Sequence, residues 1–100
     1  MIIQKTIPFS GEQEALRKIL WAAADHLGGL CRARKDGTIL LHLGSMLSLN
    51  PNTLRNVTVV RWSPGLIHLS LSAFALPWTA EKVRRIAEFR LIQIAETIEA

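Results

Sequence analysis

The stretch LCRARKDGTILLH, residues 30–42, decides the fold. On both sides of Lys35, Asp36 and Gly37 the apolar period is two, the period of a half-buried strand, and the break between the two runs is a hairpin signal. Loop length sets the register. If Asp36 and Gly37 alone form the turn, Arg32 pairs with Leu41 and Arg34 with Ile39, which mixes charge and core on one face. A three-residue loop with Gly37 left-handed instead sets Cys31 and Ala33 against Leu41 and Ile39. It leaves Arg32, Arg34, Thr38, Leu40 and His42 on the opposite face, and this is the register adopted here.

Working outward, residues 1–9 read as a strand with Ile3, Ile7 and Phe9 on one face and Gln4 and Thr6 on the other. Lys5 breaks the alternation. Ser10 stands three residues before Gln13, the spacing of a capping box, so a helix is expected to start there. Leu16, Ile19, Leu20, Ala23 and Leu27 form its apolar stripe, and Gly28 and Gly29 end it. Downstream of the hairpin, residues 44–56 are irregular, with one helical turn expected at Asn50-Pro51. Met46, Leu47 and Leu49 are unusually apolar for a loop.

Residues 57–62 and 66–74 form a second hairpin around Ser63, Pro64 and Gly65. An even-length turn puts Thr58, Val60 and Trp62 on the core face with Ile67, Leu69 and Leu71, and leaves Arg61, His68, Ser70, Ser72, Val57, Val59 and Leu66 outside. An odd-length turn would bring Arg61 beside Ile67. The last helix is expected to be capped by Thr79 and stapled by Trp78 and Val83, and to run to the carboxyl end. The order strand, helix, four strands, helix makes a single α+β domain over residues 1–100, one antiparallel five-stranded sheet with both helices on one face. That order resembles one repeat of the TATA-binding-protein fold and, more loosely, the helix-grip ligand-binding folds. The likeness is topological and implies an arrangement of sheet and helices, not an activity.

Composition agrees with one compact core. The chain has 100 residues, 49% of them hydrophobic, with 12 Lys plus Arg, 8 Asp plus Glu and one Cys. Disorder and a disulfide scaffold are both excluded by these values. The apolar runs are too short to span a bilayer and the amino end lacks a signal-peptide layout, so a cytoplasmic location is expected.

Charge is uneven. Between residues 29 and 75 lie Arg32, Arg34, Lys35, Arg55 and Arg61 against Asp36 alone, five minus one; the remainder has seven bases and seven acids. In the registers above, Arg32, Arg34, Arg61, His42 and His68 share the outer sheet face, a footprint for nucleic acid or another polyanion. Outward strand positions also need polar residues whatever the partner, and the face has no aromatic residues for base stacking, which sets nucleic acid behind other partners. Leu40, Val57, Val59 and Leu66 interleave with the bases and mark the same face as a contact surface.

On the last helix Val83, Ile86, Ala87, Leu91, Ile94 and Ile98 form a stripe into which Arg90 falls. Arg90 must snorkel, find a carboxylate, or anchor the anionic group of a small amphipathic ligand held between helix and sheet, with Met46, Leu47 and Leu49 as its rim. Phe89 and Ile92 lie off the stripe and suggest a second subunit. No catalytic residue, cofactor site or metal site is assigned. The histidines lack ligands at metal spacing, Cys31 is expected inward, and the serines have no adjacent base. The reading is a non-enzymatic binding domain that forms a homo-oligomer, with the amphipathic ligand and the polyanion as alternatives.

Overall fold

A computed structural model describes residues 1–43 and 56–99. It shows the expected α+β architecture: β1 (Ile2–Phe9), α1 (Gln13–His26), β2 (Leu30–Ala33), β3 (Ile39–Leu43), β4 (Asn56–Ser63), β5 (Gly65–Ala73), a 3-10 turn over Pro77–Thr79, and α2 (Ala80–Glu99). The five strands form one sheet in the order β1-β5-β4-β3-β2, with every neighbouring pair antiparallel. β1 and β2 are therefore parallel strands at opposite edges, and α1 carries the chain between them. The helical turn expected at Asn50-Pro51 lies outside the described residues.

Both hairpins take the registers that put one face in the core. Cys31 pairs with Leu41, Arg32 with Leu40 and Ala33 with Ile39. The loop of Lys35, Asp36 and Gly37 closes through an Arg34 N–H to Thr38 carbonyl bond of 2.9 Å, and Gly37 has φ +88°. That torsion is cheap only without a Cβ, which is why glycine ends the loop. In the second hairpin Ser63 pairs with Leu66 and Trp62 with Ile67, so the turn is the even one, with Gly65 at φ +81° following Pro64 as a type II turn requires.

The inner face carries rows of core residues. Ile7, Ile67, Leu69, Leu71, Val60, Ile39, Leu41 and Leu43 from the sheet pack against Leu16, Leu20 and Ala24 of α1 and Ala87, Leu91, Ile94, Ala95 and Ile98 of α2. Burying one such Leu or Ile is worth about 1.5–3 kcal/mol, so this cluster holds both helices on one face. α2 lies over β1 and β5, and α1 over β2, β3 and β4. Lys5, opposite Leu69, falls on the inner face but stays exposed because β1 is an edge strand.

Both helix starts differ from expectation. α1 begins at Gln13 with Glu12 at the cap position and no side-chain cap bond. The Gln13 side chain does not reach back to Ser10; its Nε2 donates to the Gly37 carbonyl at 3.0 Å, so a contact with the β2–β3 turn outcompetes the local cap. Thr79 does not cap α2 either. Its hydroxyl accepts from the Leu76 N–H at 3.0 Å and donates to the Leu76 carbonyl at 2.9 Å, fastening the 3-10 turn that precedes the helix. The end of α1 is as expected: Gly28 is left-handed, and the Gly29 N–H bonds the Ala24 carbonyl at 2.7 Å in a Schellman closure.

Candidate interaction surfaces

Strand alternation and the registers define the outer sheet face row by row. One row runs Thr6, His68, Arg61 across β1, β5 and β4, continuing to Thr38 and Arg34 at the β2–β3 turn. The next runs Gln4, Ser70, Val59, Leu40, Arg32, and the third Ile2, Ser72, Val57, His42, Leu30. The five basic positions singled out in the sequence thus share one face. Arg61 and His68 are direct cross-strand neighbours, while Arg32 lies three strands away from His68.

The His68 ring is held by its Nδ1, 3.1 Å from Thr6 Oγ1. That contact fixes the ring beside Arg61. Gln4, Thr6, Val59, Arg61, His68 and Ser70 border a shallow depression of about 440 Å³ in which hydroxyl, amide, imidazole and guanidinium groups converge. At the turn, the Asp36 carboxylate accepts from the Thr38 hydroxyl at 2.7 Å and the Thr38 N–H at 3.0 Å. These bonds, helped by Arg34 and Arg61, hold its pKa below the ordinary 3.8. The one acid of the sheet segment thus takes two hydrogen bonds within its own turn and keeps its negative charge near Arg34 and Arg61.

Leu40 corrects the expected contact surface. It lies on the outer face, yet it is only 8% exposed, so it is not available to a partner in the way its strand position suggested. Alternation fixes the direction of a side chain and says nothing of what covers it. Val57 and Val59 are half-buried on the same face.

α2 presents a different surface. Phe89 is 64% and Ile92 47% exposed, three residues apart and opposite the buried stripe of Val83, Ala87, Leu91, Ile94 and Ile98. Arg90 is half-buried, and its Nη1 donates to Gln93 Oε1 at 3.4 Å one turn on. Among the described residues the depression it borders, about 410 Å³, is lined by Arg85, Ile86, Phe89, Arg90 and Gln93, all on α2. The guanidinium thus runs along the helix surface toward water, as a long apolar stem allows. Met46, Leu47 and Leu49 lie outside the described residues.

Two further exposed aromatics lie outside the surfaces expected from strand and helix periodicity. Trp78, 79% exposed, and Phe74 flank the link from β5 to α2. Trp78 was expected to staple α2; with the helix starting at Ala80, the 3-10 turn directs it outward instead.

Cys31 is inward, as expected. Its thiol donates to the Leu20 carbonyl at 3.2 Å, and burial pushes its pKa from 9.0 up to about 11. A thiol so placed is protonated at neutral pH and is a poor nucleophile. Among the described residues there is no group of three or more His, Cys, Asp or Glu positioned to hold a metal ion, and no helix long and apolar enough to cross a membrane. No protein-family model matches the chain, and no curated protein matches it.

Proposed function

We infer that this chain is a small, non-enzymatic interaction domain that works by self-association. The observation that carries the reading is the pair Phe89 and Ile92, large apolar side chains exposed together on α2 outside the core stripe. With about two-thirds of Phe89 and half of Ile92 facing water, each forfeits about 0.7–2 kcal/mol of burial, and a second copy would recover much of that. Native mass spectrometry at micromolar concentration is the test. A mass of two chains is expected; a spectrum of the 11.2 kDa chain alone, up to tens of micromolar, overturns the reading.

A second reading has its own observation. Arg61, His68 and Arg34 fall in one outer-face row, beside a depression lined by polar groups, which suits a polyanion bound through its charged oxygens. Retention on an anionic resin that weakens steeply with salt supports it, and flow-through at low salt refutes it.

A further inference from the structure

The hydrogen-bond phase of β1 shows which of its backbone groups have no strand partner. Met1 and Ala73 exchange both bonds, Ala73 N–H to Met1 carbonyl at 2.9 Å and the Met1 amino group to Ala73 carbonyl at 3.1 Å. In an antiparallel ladder bonded and non-bonded pairs alternate. Ile3, Lys5, Ile7 and Phe9 therefore point their backbone groups at β5, while Ile2, Gln4, Thr6 and Pro8 point theirs away from the sheet. Among the described residues, the free edge offers N–H and C=O at Ile2, Gln4 and Thr6, and C=O alone at Pro8. The opposite edge strand, β2, has only four residues.

Resting on the self-association read above, we propose that two copies pair antiparallel along the free edge of β1 with Gln4 opposite Gln4. The residues themselves select this register. It forms two bonds at the Gln4–Gln4 pair and two at each Ile2–Thr6 pair, and sets Lys5 opposite Ile3. Shifting the two-fold axis to Lys5 places the two ammonium groups directly opposite one another, which is unfavourable, and draws Pro8, which has no N–H, into the ladder. Shifting it to Thr6 pairs Gln4 with Pro8 and loses bonds. Shifting it to Ile3 leaves Thr6 with nothing to pair among these residues. Only the Gln4 register uses every complete donor–acceptor pair on the edge and keeps proline at its boundary.

The same joint brings the helices together. α2 lies over β1 and β5, so with strands about 4.8 Å apart each α2 axis stands about 5 Å from the two-fold axis. The two α2 helices would then be about 10 Å apart, antiparallel, on the shared inner face, which is the distance at which helices pack. Phe89 and Ile92, opposite the core stripe of each helix, would face away from the joined sheet, so the backbone ladder carries this joint and the two helices flank it.

Amide hydrogen exchange measured across the dimer's concentration range tests this directly. The amides of Ile2, Gln4 and Thr6 are expected to slow at least tenfold as the dimer forms, while those of Ile3, Lys5 and Ile7 are protected throughout. A dimer in which Ile2, Gln4 and Thr6 still exchange freely overturns the edge proposal and leaves self-association standing; a chain that stays monomeric overturns both. Gln4→Pro adds a second arm. Position 4 shares its phase with Pro8, so the substitution removes no bond to β5, and the variant is expected to fold and run as a monomer. A folded Gln4→Pro dimer overturns the proposal; should the variant fail to fold, the exchange pattern of the unmodified chain decides.

Discussion

Thr58 is fully buried in the centre of the sheet, between Leu41 on β3 and Leu71 on β5, and its hydroxyl oxygen has no hydrogen-bond partner. A hydroxyl taken out of water without a new partner costs about 1–3 kcal/mol by mutational measures. Thr58→Val keeps the shape and the β-branched strand preference and replaces that hydroxyl by a methyl group. The gain expected is about 1–2 kcal/mol. For about 100 residues the unfolding entropy is near 0.2 kcal/mol per degree, so Tm should rise by about 5–10 °C. Urea unfolding followed by tryptophan fluorescence, at fixed protein concentration, should show a higher midpoint with unchanged m. Thr58→Ser, which keeps the hydroxyl and opens a methyl-sized void, should fall below the parent. If Thr58→Val is less stable than the parent by more than about 0.5 kcal/mol, the hydroxyl is satisfied in solution and the reasoning fails.

Two further predictions concern titration. The Cys31 pKa is raised, so the neutral thiol favours the folded state fully below the ordinary value of 9.0, and that contribution fades as pH rises toward about 11. Iodoacetamide should therefore modify Cys31 in the native protein far more slowly at pH 8 than it modifies the urea-unfolded chain; equal rates would show an accessible thiolate. For Asp36 the sign is opposite. Its pKa is lowered by the two bonds from Thr38, so its contribution is present above the ordinary carboxylate value and is lost as pH falls through the folded one. Asp36→Asn should flatten the drop in Tm between pH 5 and pH 2 relative to the parent, and an unchanged drop would assign acid sensitivity to other carboxylates.

Both hairpin registers were legible because glycine and loop length constrain them locally. Only one phase puts Cys31, Ala33, Ile39 and Leu41 together, and only the even turn keeps Arg61 away from Ile67. The helix starts were illegible because distant groups decide them. Nothing near Ser10 indicates that Gln13 will donate to Gly37, twenty-four residues on, or that Thr79 will turn back to Leu76. The shared face of Arg32, Arg34, Arg61, His42 and His68 could be read from period two together with the two loop lengths. Leu40 and Trp78 could not be placed, since coverage depends on neighbours that an alternation pattern does not contain. The free edge of β1 was equally hidden: sequence shows a strand, but only the sheet order makes it an edge, and only the Met1–Ala73 pair fixes which backbone groups point outward.

Edge pairing and the basic face constrain one another. A two-fold axis through Gln4 would join the outer faces of two copies, each of five strands, into one surface of ten. Arg61 sits on β4, two strands in from the seam, so the two Arg61 positions lie about five strand spacings, or about 24 Å, apart across it and about four residues, or about 13 Å, apart along it, roughly 28 Å in all. Thr6, His68 and Arg61 of each copy flank a seam floored by Gln4 and Ser70, which are neutral hydrogen-bonding groups. A small anion would meet only one Arg61–His68 pair and gain nothing from dimerisation. A rigid polyanion longer than about 28 Å would meet both pairs, with the second engagement made intramolecular by the first. The length of chain a polyanion needs before its affinity rises therefore reports whether the two surfaces are used together or apart.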